Sequence, residues 1–210
     1  MKGFGTIITV LIMVLLLVGM VWAEEDDDYK YRVGLLATGR QDTINWNVNT
    51  NLTTGAKALY SDDWEPVKSQ AEIGFNVDFA HKSWPFNFTI GILHSEKDKN
   101  DYFGNKVEGS TSELRLGIKK IWETTSKMRT YIGLGLVIIN AKLKISDYYD
   151  VVSDDDYGSG AYLDMGIFWT FARHLNLGFE LGKSGATATV FNYDTKAGGS
   201  HALFLIGYHW

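Results

Sequence analysis

At 210 residues the chain fits one domain, and a hydrophobic content of 45% would serve a soluble core or a lipid-facing surface equally well. The absence of cysteine excludes a disulfide framework, a thiolate nucleophile and a thiolate metal site. A formal charge of -5 with no basic tract argues against nucleic acid as a partner, while 22 glycines and 7 tryptophans against 2 prolines suit a β-rich chain with tight turns and interfacial aromatics.

The first element is a targeting segment. Residues 1–23 combine a short basic start at Lys2, an apolar stretch from Ile7 to Val21, and small or unbranched-enough residues at Val21 and Ala23. Cleavage is expected between Ala23 and Glu24, where the chain turns acidic, leaving residues 24–210 as a single mature domain. The stretch falls short of the roughly 20 apolar residues a spanning helix needs, and no comparable run follows. Any insertion of the mature chain into a membrane must therefore use strands closed into a barrel.

The mature sequence alternates apolar and polar residues in stretches of about ten, the period of a strand between two environments. A first strand is expected from about Tyr31 to Arg40. A second sets Ala71, Ile73, Phe75, Val77 and Phe79 against Glu72, Gly74, Asn76 and Asp78. The third and fourth carry Phe86, Phe88, Ile90 and Ile92, then Leu114, Leu116 and Ile118, opposite Thr89, Gly91, Glu113, Arg115, Gly117 and Lys119. A fifth runs from about Thr130 to Ile145, with adjacent Ile138 and Ile139 suggesting a bulge. The sixth and seventh oppose Leu163, Met165, Ile167 and Trp169, then Leu175, Leu177, Phe179 and Leu181, to Asp164, Gly166, Asn176, Gly178, Glu180 and Gly182. The eighth, His201 to Trp210, has Phe204, Ile206, Tyr208 and Trp210 on one face and an unusually apolar second face at Leu203 and Leu205.

Connections alternate in length. Residues 41–66, 97–108, 147–159 and 185–199 read as long loops, and 81–85, 123–128 and 172–174 as short turns. That is the pattern of an all-β, up-and-down antiparallel transmembrane β-barrel of about eight strands with both termini on the short-turn side. Glycines on the polar face suit a cramped interior, and Trp84, Trp122, Trp169, Phe171, Tyr208 and Trp210 gather near the short turns, where a headgroup girdle lies. The apolar face is thus expected to meet lipid.

The terminal residues Phe204, Ile206, Tyr208 and Trp210, with an aromatic as the last residue, resemble the C-terminal assembly signal of outer-membrane barrels. With the signal peptide and eight alternating segments, the mature chain resembles the small eight-stranded families typified by outer membrane proteins A, X and W. The resemblance implies residence in the outer membrane of a Gram-negative bacterium, contact with its lipid and lipopolysaccharide, and insertion by the barrel-assembly machinery. It also implies a non-enzymatic role in envelope integrity or surface interaction, with a channel for small apolar compounds as the alternative.

With polar faces inward, the lumen is expected to hold Arg32, Arg40, Glu72, Asp78, Glu113, Arg115, Lys119, Asp164 and Glu180 as an ion-pair network, because buried charges persist when paired. No catalytic residue, cofactor or metal is expected. His94 and His201 read as rim histidines beside serines without a nucleophile elbow, and a lipid A-modifying enzyme is the weakest reading. Gly182-Lys183-Ser184 lacks the preceding glycine and following helix of a phosphate loop. The aspartates at 147, 150 and 154–156, interleaved with tyrosines, match no calcium loop and read as a solvated acidic segment. Surface specificity would fall to loop aromatics Trp46, Trp64, Tyr102, Tyr148, Tyr149 and Tyr157.

Overall fold

Branched and aromatic residues at every second position favour extended backbone with a different environment on each side, and the computed structural model forms nine strands from them. These are β1 (Tyr29–Asp42), β2 (Ser69–His81), β3 (Asn87–Asn100), β4 (Lys106–Glu123), β5 (Met128–Ser146), β6 (Val151–Phe171), β7 (Leu175–Val190), β8 (Tyr193–Ala197) and β9 (Gly199–His209). The structure describes residues 29–42, 69–81, 83–100, 104–146, 148, 150–171, 174–190 and 193–209, with side chains described at neither 29–42, 69 nor 193–196. The signal segment with Ala23 and Glu24, the loop aromatics Trp46, Trp64, Tyr102 and Tyr149, Asp147, and the terminal Trp210 lie outside the described residues, as do the side chains of Arg32 and Arg40.

All neighbours pair antiparallel in one sheet, and the ladders of β1 with β9, β9 with β7 and β7 with β6 close it. β8 and β9 both pair with β7 in a single register, Ala186 opposite Ala197 and Lys183 opposite Ser200. They form one stave interrupted at Gly198, so the barrel has eight. Gly198 has a φ of 115°, and a Cβ there would press on the Ser184 carbonyl, so only glycine turns the chain at this point.

The outer face is apolar over a continuous belt: Ile73, Phe88, Leu114, Leu116, Ile118, Ile132, Leu134, Leu136, Ile138, Leu163, Met165, Leu177, Leu181, Phe204 and Ile206 are all exposed, Leu136 to 70%. At one register level the belt stops, where His94 pairs with Ser112, Ser112 with Asn140 and Asn140 with Tyr157. Trp84, Trp122, Trp169, Phe171 and Tyr208 mark its other end beside the short turns, where Phe79, Trp84, Phe86 and Phe88 stack or pack edge to face at centroid distances of 5.3–5.5 Å. Exposed apolar residues on this scale cannot stay in water.

The strands outrun the membrane. A tilted span needs about 9–11 residues, whereas β4, β5 and β6 have 18, 19 and 21. Three of the stretches expected as long loops, 97–108, 147–159 and 185–199, are therefore mostly ladder: β3 reaches Asn100 before β4 starts at Lys106, β6 starts at Val151, and β7 runs to Val190 before β8; of the fourth, 41–66, only Gln41 and Asp42 are described, both in β1. Tyr157 and Asp154–Asp156 accordingly lie within β6, and the acidic run is hairpin, while Tyr148 sits at the hairpin tip, 93% exposed. Beyond Ser159, the last β6 residue laddered to β7 among the described residues, β6 pairs with β5 alone; Asp156 Oδ2 there accepts from the Thr189 N–H at 2.7 Å.

One further expectation is corrected and one observation is explained. Ile138 and Ile139 do not mark a bulge, since β5 keeps one register with β4 and with β6 from end to end. Ile138 faces out and Ile139 in, because the inner wall turns apolar at this height: Val107, Val137, Ile139, Ala141, Leu143, Tyr162, Ala186, Ala188, Val190 and Ala197 form a buried cluster. The apolar inner face of the last strand has the same kind of explanation. Leu203, fully buried, packs with Leu93 and Leu205 across the lumen. Room for this layer comes from Gly74, where a Cβ would run into Leu93 Cδ2 and the Ile92 carbonyl. Gly74→Ala is expected to cost about 1–3 kcal/mol through overpacking, read as a lower urea midpoint of the folded barrel in vesicles.

Candidate functional site

Inward alternation carries a band of polar side chains into the middle of the barrel. Glu72, Asp78, Glu113, Arg115, Lys119, Asp164 and Glu180 are each at most 5% exposed, together with Gln70, Asn76, Thr89, Ser95, Thr111, Asn176, Ser184 and His201, all of them buried. Two strongly bonded groups result. In the lower one, Lys119 Nζ lies 3.3 Å from Asp78 Oδ1 and 4.5 Å from the centre of the Tyr131 ring, and the Tyr131 hydroxyl donates to Glu180 Oε2 at 2.5 Å. In the upper one, Arg115 donates to Glu113 Oε2 through Nε and Nη2 at 3.0 and 2.9 Å. Arg32 and Arg40 are placed only by register, opposite Asp78 and Gln70 on β2 and opposite His209 and His201 on β9.

His201 belongs to the upper group and is a departure from the sequence reading, which set it on the rim. It is 2% exposed. Arg115 Nη2 stands 2.9 Å from its Nε2, and a guanidinium only donates, so Nε2 accepts and the Nδ1–H donates to Glu72 Oε2 at 2.8 Å. Ser184 Oγ lies 3.0 Å from Nε2 and donates to Glu113 Oε1 at 2.8 Å. The order Glu72, His201, Ser184 is that of an acid, base and nucleophile. Its chemistry is nonetheless blocked: the histidine's acceptor nitrogen faces Arg115, the serine proton faces Glu113, and the barrel wall encloses the hydroxyl. Ligand atoms of Glu72, Glu113 and His201 also come within 4.8 Å of one another, as a metal would require, but Arg115 already brings a positive charge against the same nitrogen. His94, by contrast, faces out at the belt edge and bonds to Ser112 Oγ at 2.9 Å.

Cavities in this lumen are small. One of about 30 Å³ is lined by Asn76, Asp78, Lys119, Tyr131, Asn176 and Leu205 among others. A second of about 10 Å³ lies against Asn76, Leu93, Arg115, Lys119, Asp164 and Glu180. Each has room for water and for no larger solute. Gly182, Lys183 and Ser184 sit in the middle of β7, so the phosphate-loop geometry is absent there.

Above the belt the outer face becomes charged. Glu108 accepts from Lys106 at 2.7 Å and from Lys144 at 2.9 Å, and these bonds, Lys106 first, hold its carboxyl below the ordinary range. A depressed folded value means the contribution is complete above the unfolded carboxylate range, about pH 4.3, and is lost as pH falls through the lower folded value. Hydrogen-exchange protection factors in the β3–β4 hairpin, corrected for the intrinsic pH dependence of amide exchange, are expected to fall through that acid window, and Glu108→Gln to flatten the dependence. Lys142 and Lys183 are exposed on the same outer face.

An eight-stave barrel with an apolar exterior, an aromatic end and a closed polar lumen is a small transmembrane β-barrel of the outer-membrane type. Solved structures of that class share the fold. Ail, the attachment invasion locus protein of Yersinia pestis, in complex with the heparin analogue sucrose octasulfate, superposes with a TM-score of 0.54 at 10% identity, covering 87% of this chain and 99% of its own. Ail without that ligand gives 0.50 at 11% identity, over 88% and 100%. A major outer membrane protein of Thermus thermophilus gives 0.52 at 9%, over 87% and 99%. No protein-family model matches the sequence, and no curated protein does.

Proposed function

We propose that the protein is a non-enzymatic integral protein of a Gram-negative outer membrane, whose closed barrel anchors β-hairpins outside the bilayer for envelope integrity or surface contact. The observation that carries this is the pairing of an exposed apolar belt with a lumen filled by bonded charges. In this reading residues 1–23 are removed between Ala23 and Glu24, and the assembly machinery recognises Phe204, Ile206, Tyr208 and Trp210. Lys106, Lys142, Lys144 and Lys183 meet lipopolysaccharide phosphates at the belt edge, where Lys and Arg favour anionic headgroups. The buried charges hold the barrel shut as an ion-pair network, with Arg32 and Arg40 as its further members.

Ail is described with a polysulfated sugar; here the β5–β6 hairpin, whose two strands are the longest among the described residues, carries Asp150 and Asp154–Asp156 and would repel one, so a different surface partner is implied. Passage of small apolar compounds along the barrel axis is disfavoured by the leucine layer, and the two cavities described among the lumen residues, of about 30 and 10 Å³, are too small for them.

The test is fractionation followed by gel mobility of unboiled against boiled protein. Recovery in the urea-washed outer membrane with a heat-dependent shift is expected. Recovery in the soluble periplasm without a shift would overturn the reading.

A further inference from the structure

We propose that the lumen, although closed to ions and solutes, passes protons along a relay of side chains joined by water in its two cavities. From the short-turn rim the series begins at His209, whose Nδ1 lies 3.1 Å from Asn176 Nδ2. Asn176 borders the lower cavity with Asp78, Lys119 and Tyr131. Asn76 borders both cavities, and the upper one brings in Asp164, Glu180, Arg115 and Tyr162. There the Arg115 guanidinium keeps its protons and fixes Glu113 and His201 in place, and the onward path runs through Glu113, Ser184, His201 and Glu72, linked by contacts of 2.8–3.0 Å. Ser95 then bonds Gln70 at 2.7 Å and Thr111 at 2.6 Å at the upper end.

Two orphaned atoms place the water. Asn76 Oδ1 and Asp164 Oδ1 have no hydrogen-bond partner among the described residues, and both side chains are more than nine-tenths buried on the upper cavity. Two acceptors facing a space of about 10 Å³ call for one molecule that donates two hydrogen bonds, and water or hydronium is what fits. The transfer step is simple: hydronium gives a proton to the Asp164 carboxylate, an O–H bond forms there as one breaks on oxygen, and water remains. Release toward the next acceptor restores the carboxylate. No oxidant or reductant is involved. Alkali cations are refused by size, because a space of about 10 Å³ holds a single water and Leu93 packs against Leu203 beside it.

The full mature protein, reconstituted in liposomes with an entrapped pH dye, tests this under a potassium potential set by valinomycin. Proton entry several-fold faster than in protein-free liposomes is expected, with no resolved ionic steps in a planar bilayer. Asn76→Leu, which fills the joint between the cavities, and Asp164→Asn, which keeps the shape and removes the acid, are each expected to lower the protein-dependent rate at least tenfold while keeping the heat-dependent mobility of a folded barrel. Wild-type flux no faster than that of empty liposomes would overturn the proposal, as would undiminished flux in either folded variant or potassium-carrying steps that account for the current.

Discussion

Replacing Leu134 by arginine is expected to destabilise the folded barrel by about 2–4 kcal/mol, the range for a cation at the bilayer midplane on a barrel's lipid face. Leu134 is 53% exposed and sits midway up the belt, laddered to Ile118 on one side and Leu163 on the other, both of them exposed and apolar. The guanidinium would be several residues from either interface, too far to reach water without thinning the bilayer around it. The same substitution at Val151, exposed on β6 beyond the belt, should change stability by well under about 1 kcal/mol, because depth and not strand identity sets the cost. Urea unfolding of both variants in lipid vesicles, followed by tryptophan fluorescence, measures the difference. Equal effects at the two positions would mean that the apolar face does not meet lipid.

Arg115→Met is expected to cost about 3–5 kcal/mol, the penalty for leaving a buried charge without its partner. Glu113 Oε2 loses both guanidinium bonds and the positive charge that faces it, while His201 Nε2 loses its donor. The loss belongs to the carboxylate left behind more than to the missing arginine. Adding Glu113→Gln to Arg115→Met should therefore recover most of the stability, giving a large coupling energy in a double-mutant cycle. Purely additive losses would mean that the two side chains act independently.

Much of this architecture is legible in the sequence where two environments differ sharply. Ile73 against Glu72 or Leu116 against Arg115 states which side meets lipid, and the alternation holds through the belt. Above the belt that contrast disappears. Ile139, Ala141 and Leu143 face inward while Lys142 and Lys144 face out, an inverted polarity that made Ile138 and Ile139 resemble a bulge. Asp154–Asp156 read as loop because aspartate disfavours strands, yet β5 supplies an uninterrupted partner and pairing overrides the local preference. The lumen was harder still. Its charged residues follow from the strand period, but the convergence of Glu113 and Arg115 with Ser184 and His201 depends on β4 meeting β7 and β9 across the barrel, and separations of 71 residues for Glu113 and Ser184 and 86 for Arg115 and His201 give no local sign of it.

The overhang of β6 bears on how neighbouring copies tolerate one another. A strand flanked on one side only is a template on which an identical strand can add, and in a crowded membrane such stitching would chain barrels into arrays. Val151, Val152 and Tyr157 would favour that addition. Three consecutive aspartates on the same stretch oppose it, since two copies aligned edge to edge would bring six carboxylates together, and Asp156 is already committed to a backbone N–H of its own chain. Edge-to-edge addition of two copies would therefore have to overcome the repulsion of this acidic run.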